Sequence, residues 1–142
     1  VRALLDVNLL VALLDANHVH HDRAHLWWKE HRAGGWASCP LTQNGCLRVL
    51  SQPKYPNAQP LSAVHDLLVR QTASPDHAFW SDDTSLLDSQ VFDHSRILGP
   101  SQLTDVYLLA LAVRNGGRLA TLDGGVPLAA VRGAETRHLV TL

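Results

Sequence analysis

Leu103-Thr104-Asp105-Val106-Tyr107-Leu108-Leu109-Ala110-Leu111-Ala112, then Gly116-Gly117-Arg118-Leu119-Ala120-Thr121-Leu122-Asp123, is the stretch that decides the fold. Its first half is apolar on every side, the pattern of a buried helix, with one acid in the first turn. The paired glycines make a tight turn. Arg118 to Leu122 then reads as a short strand with Asp123 at its carboxyl end. A helix start and a strand end of this kind can bring Asp105 and Asp123 to one crevice. Asp6, from the far end of the chain, can supply a third acid.

The segments before it repeat the same alternation. Arg2-Ala3-Leu4-Leu5 is apolar without a two-residue period, as a central parallel strand would be, and Asp6 closes it. Asn8 follows, and Leu9 to Leu14 opens a buried helix. A second helix is expected over His18–Arg32, with Ala24, Leu26, Trp27 and Trp28 inward and His21, Lys29 and Arg32 outward. Gly34-Gly35 stops it. Trp36–Cys39 is a strand, and Pro40–Leu50 a helix with Thr42 as its N-cap and Gln43 and Asn44 in its first turn. Three prolines make 52–60 a surface loop. Leu61–Thr72 is amphipathic, with Leu61, Val64, Leu67 and Leu68 inward. His77–Trp80 is a third strand. Ser81–Ser85 is expected to cap a brief helical turn through Leu87, and Asp88 and Asp93 to be solvated. Ser101 or Thr104 would cap the Asp105 helix, and His138–Leu142 is a last strand. The reading is one α/β domain, 1–142, with a mostly parallel sheet between helices.

Composition narrows the class. At 142 residues and 46% apolar, the chain can bury its own core. No apolar run is long enough to cross a bilayer, and the start does not read as a signal peptide. Cys39 and Cys46 read as two reduced, buried thiols, which points to a cytoplasmic protein with no membrane partner. Net charge is −1, so nothing suggests broad electrostatic binding of nucleic acid. His21 and His25 have a metal-like spacing, but no acid or cysteine accompanies them, and they read as surface or packing histidines.

In open α/β sheets, ligands gather at the carboxyl ends of strands. Asp6 and Asp123 would stand there, with Asp105 at a neighbouring helix start. Two carboxylates about 4 Å apart repel by roughly 4 kcal/mol at an effective dielectric near 20. Protons or cations must offset that. Oxygen-only ligands suit Mg²⁺ or Mn²⁺, which polarise phosphoryl oxygens and acidify bound water. A phosphodiester is the substrate such chemistry fits. The bland alternative is three unrelated helix-capping acids.

Asp6-Val7-Asn8, Leu41–Leu50, Thr104–Ala112 and Leu119–Asp123, in this order over nearly the whole chain, resemble the PIN-domain toxins of VapBC toxin–antitoxin systems. The Thr-Asp helix followed by the Thr-x-Asp strand is the most specific part. The resemblance implies a Mg²⁺- or Mn²⁺-dependent endoribonuclease that cleaves tRNA or rRNA to stop translation, commonly a homodimer, silenced by a VapB-type antitoxin. It gives Asp6, Asp105 and Asp123 the catalytic, metal-binding roles, has Asn8 support Asp6, and has Thr121 orient Asp123 or a phosphate. Family members usually carry a glutamate early in the helix after the second strand. Here Thr42-Gln43-Asn44-Gly45 has none, and Gln43 is its equivalent, with an acceptor oxygen but no charge.

Two other readings compete. One is a PIN fold weakened at Gln43 that binds RNA or antitoxin without cutting. The other is a haloacid-dehalogenase-like phosphatase, which would want an acid where Asn8 stands.

Overall fold

The computed structural model describes residues 1–142. Five strands form one sheet: β1 (Ala3–Leu5), β2 (Trp36–Ser38), β3 (His77–Phe79), β4 (Arg118–Thr121) and β5 (Leu139–Thr141). Their order is β3-β2-β1-β4-β5, and every pairing is parallel. The expected mostly parallel sheet is thus wholly parallel. Five helices cover it: α1 (Val7–Leu14), α2 (His21–His31), α3 (Pro40–Ser51), α4 (Leu61–Thr72) and α5 (Leu103–Arg114).

Side-chain alternation sorts the core into two layers. Leu4, Ala37 and Leu119 pack with α5, Phe92 and Val131 on one face. Ala3, Leu5, Trp36 and Ala120 pack with α1, α3 and α4 on the other. Helix α5 is buried from Val106 through Ala112, which is why its sequence shows no polar stripe.

Several boundaries differ from the sequence reading. Helix α2 begins at His21, not His18, because Asp15–His20 turns first, and Arg32–Gly34 is a 3₁₀ turn. Strands β1, β2, β3 and β5 are each shorter than expected, and His138 lies in a 3₁₀ turn. No helix forms over Ser81–Leu87. The caps also change. Cys39, not Thr42, caps α3, and Thr42 sits buried inside the first turn, where its hydroxyl accepts the Cys39 N–H at 3.0 Å. Gln102 precedes α5 with no side-chain cap, so neither Ser101 nor Thr104 fills that role. Leu26 and Leu61, expected inward, are exposed, each lying off its helix's buried stripe. His21, expected outward, is half-buried, and its Nδ1 lies 2.8 Å from the Ala12 carbonyl, clamping α2 to α1. The Asp88 and Asp93 carboxylates bond only within their own turns, as expected of solvated acids. Cys39 and Cys46 are buried and unpaired. No helix is long and apolar enough to cross a membrane.

The 52–60 loop is fastened to the end of α1. The Tyr55 hydroxyl, the Asn57 amide at 2.8 Å and the Asn17 N–H at 3.0 Å all donate to the buried Asp15 carboxylate. Burial alone would raise the Asp15 pKa, but these donors outweigh it and hold the group below the ordinary carboxylate range. Its contribution to stability is therefore present above the unfolded pKa near 4 and is lost as pH falls through the lower folded value. Tyr55→Phe is expected to destabilise the fold by about 1.5–3 kcal/mol at pH 7, a hydrogen bond to a charged group being removed. Denaturant titrations at pH 7 and pH 3 check this, since the penalty should shrink once Asp15 takes up a proton.

Candidate active site

The register of β1 against β4 builds the site. Leu4 pairs with Leu119 and Leu5 with Ala120, so the next positions, Asp6 and Thr121, lie side by side at the carboxyl edge. By alternation both fall on the Leu4/Leu119 face, the one that α5 covers. Asp105, in the first turn of α5, is thereby brought to the same place.

Asp6 ends β1 and caps α1 in one step: its Oδ1 accepts the Val7 N–H at 2.7 Å. The N-cap reading of this residue holds, and it does not exclude a second role, because Oδ2 is used separately. It accepts the Thr121 hydroxyl at 2.7 Å. Thr121 is fully buried, and its Oγ also accepts the Asp123 N–H at 3.0 Å. The Asn8 amide lies 3.4 Å from the same oxygen, and the Asn8 carbonyl oxygen accepts the Leu122 N–H at 3.3 Å. One hydroxyl thus sets the spacing between Asp6 and Asp123, and Asn8 braces it from α1. The Gly125 N–H donates to Asp123 Oδ1 at 2.8 Å. Gly124-Gly125, which in sequence looks only like a chain release, also orients this acid.

The three acids run from floor to mouth. Asp6 is buried, Asp105 half-buried and Asp123 exposed. Burial raises the Asp6 pKa, against the Thr121 and Val7 hydrogen bonds, and the Asp123 charge adds to the rise. Asp105 is pushed up to about 7, first by burial, then by its hydrogen bond to Asp123 and the charges of Asp6 and Asp123. Asp123 moves the other way, held low by the Gly125 N–H and by Asp105. Asp105 therefore keeps a proton to near neutrality.

Carboxylates brought together in this way form a site where a cation can take the place of the Asp105 proton, and their oxygens are the hard donors that divalent ions prefer. The side chains as they stand do not close into a finished metal cage of three or more ligands. The donor set fits a hard ion in charge and chemistry.

Gln43 is not part of this cluster. Its Nε2 donates to Ser38 Oγ at 2.9 Å, and Ser38 Oγ lies 2.7 Å from His77 Nε2. The start of α3 lies directly on the start of α1: a Cβ on Gly45 would come within 2.5 Å of Val7. The sequence reading missed Ser38 and His77. They are far apart in the chain, and only the β2–β3 pairing brings them together. Thr42 is buried below the helix start and does not face the acids. His21 and His25 stack loosely at 5.7 Å with no acid or thiol near enough to complete a metal set.

Thr121→Val tests the central bridge. It keeps the shape and removes the hydroxyl, leaving the Asp123 N–H and an Asp6 oxygen without their partner. A loss of about 1–3 kcal/mol is expected in thermal or denaturant unfolding. A change within error would remove Thr121 from this role.

A parallel sheet in the order 3-2-1-4-5 with acids at its carboxyl edge is an α/β domain with a ligand-competent strand edge, and the PIN-domain family model matches residues 3–132. Ribonuclease VapC44 of Mycobacterium tuberculosis is 54% identical over the full length of both chains. Ribonuclease VapC38 of the same organism is 46% identical, covering 87% of this chain and 86% of its own. The chain belongs to the PIN-domain family, among the VapC proteins. Among solved structures, M. tuberculosis VapC20, described as a sarcin–ricin-loop-cleaving toxin, superposes with a TM-score of 0.60 at 14% identity. It covers 87% of this chain and 91% of its own, a likeness of fold.

Proposed function

We propose that the protein is the toxin of a type II toxin–antitoxin pair, an endoribonuclease that uses Mg²⁺ or Mn²⁺. The observation that carries this reading is the trio Asp6, Asp105 and Asp123, gathered at one sheet edge in a chain 54% identical to a named ribonuclease. Asp6, Asp105 and Asp123 would hold the ion, and Asp105 would give up its proton to do so. When bound, the ion supplies positive charge for the phosphoryl oxygen and acidifies a water for attack. The chain's own work is positioning. Thr121 and Asn8 fix the distance between floor and mouth, and Gly125 turns Asp123. The substrate is tRNA or rRNA. The working form is a cytoplasmic homodimer, silenced by a VapB-type antitoxin.

The test is cleavage of total RNA by the purified, antitoxin-free protein with Mn²⁺, Mg²⁺ or chelator. Discrete products that need the metal are expected. A folded protein that leaves RNA intact would favour the weakened binding module, and Gln43→Glu would then be the variant to assay. The relatives named above are ribonucleases, which disfavours the phosphatase reading.

A further inference from the structure

The Ser38–His77 pair has no place in the acid cluster, yet it ends on Gln43, which stands where the resembled toxins usually carry a glutamate. Ser38 is buried, and His77 is half-buried on the neighbouring strand. Three groups stand in line: Gln43 Nε2, Ser38 Oγ and His77 Nε2, with steps of 2.9 and 2.7 Å. A hydroxyl has one proton to give, so the direction of this line is not free. Burial lowers the His77 pKa and the Arg2 charge adds to that, so the ring is neutral at pH 8. The Gln43 amide donates to Ser38 Oγ, which leaves the Ser38 hydroxyl proton for His77 Nε2. The neutral ring then carries its own proton on Nδ1. Nε2 then accepts from the Ser38 hydroxyl, and Ser38 Oγ accepts from the Gln43 amide.

We propose that Ser38 and His77 are positioning residues that fix the direction of the Gln43 side-chain amide, committing its NH₂ to Ser38 and leaving its carbonyl oxygen as a free acceptor at the start of α3. The relay suits an amide at position 43. A carboxylate has no proton to give Ser38. It would draw the Ser38 hydroxyl toward itself, and His77 would have to donate from Nε2. The free carbonyl oxygen is the part of Gln43 able to accept a hydrogen bond from the RNA or from a positioned water. This functional half rests on the ribonuclease reading.

The experiment has two arms on the full-length protein. The first is ring ¹⁵N NMR of His77 at pH 8, which needs no activity. Wild type should show Nε2 unprotonated and Nδ1 protonated, and Gln43→Glu should reverse the tautomer. A protonated Nε2 in wild type, or no reversal in Gln43→Glu, overturns the relay. The second arm is RNA cleavage by wild type, His77→Phe, Gln43→Glu and the double variant, each checked for folding by circular dichroism. His77→Phe is expected to lower kcat about 10-fold in the wild-type background and less than about 2-fold in the Gln43→Glu background, where no amide needs orienting; this is a coupling of roughly 1 kcal/mol. Equal losses in both backgrounds mean His77 only supports the fold, which overturns its positioning role. A wild type that does not cleave overturns the ribonuclease reading instead, and the tautomers still decide the relay.

Discussion

Asp105→Asn is expected to lose RNA cleavage by about 100-fold or more, several kcal/mol of transition-state stabilisation, and at the same time to melt higher than the wild type in metal-free buffer. The two effects share one cause. The Asp105 pKa is raised to about 7 from an ordinary 3.8. Between those values the folded state holds a proton that the unfolded state has released, so stability falls as pH rises through that window and stays low above it. An amide cannot ionise, and its NH₂ can donate to a neighbouring carboxylate as the Asp105 proton does. The variant's advantage should thus be absent near pH 4, grow toward pH 7 and level off beyond it. Asp105 is partly open to water, so screening reduces the gain to about 1–2 kcal/mol, or roughly 3–6 °C in Tm for a domain of this size. Adding Mn²⁺ should close the gap by raising the wild-type Tm more than the variant's. An Asp105→Asn protein that melts below wild type at pH 8 in chelator would rule out repulsion among the three acids as the source of strain.

Gly117→Ala is expected to be among the most damaging single methyl additions to this chain. A Cβ there would lie 2.5 Å from the Arg2 carbonyl oxygen and 2.7 Å from the Trp80 ring. The first of these is backbone, and that same carbonyl accepts the Arg118 N–H at 3.0 Å to begin the β1–β4 ladder. Relief requires the two central strands to part where their pairing starts. Overpacking of this kind costs about 3 kcal/mol, roughly 10 °C in Tm. The site should suffer as well, because β1 carries Asp6 and β4 leads to Asp123. Thermal unfolding and RNA cleavage, measured together, check both parts. Gly116 offers a contrast: it has φ +68 but open space around it, so substitution there meets backbone strain rather than collision.

The reach of the sequence can be judged from these same residues. The class of fold, the order of its major helices and strands, and the acids at Asp6, Asp105 and Asp123 were all legible, because they depend on local pattern. An all-apolar run must be buried, paired glycines must turn, and an acid directly after a buried strand must stand at its edge. Asp123 and Asp105 lie close in sequence across one helix and one turn, so their meeting follows from a short connection. Element ends were less legible. His18–His20, Ser81–Leu87 and the cap of α5 were misread because propensity at a boundary is weak beside tertiary contacts such as His21 on the Ala12 carbonyl.

The sequence by itself determined that acids would collect at one edge of a parallel sheet, since strand ends and helix starts are written in local hydrophobicity. Only the tertiary structure decided which partner each acid has and which proton each holds. Thr121 bridges Asp6 and Asp123 because β1 and β4 are adjacent and in that register. Gln43 bonds to Ser38 rather than to the acids because β2 and β3 bring Ser38 and His77 together. Register and adjacency between strands far apart in the chain are set by the packing of two whole layers, and no local pattern records them.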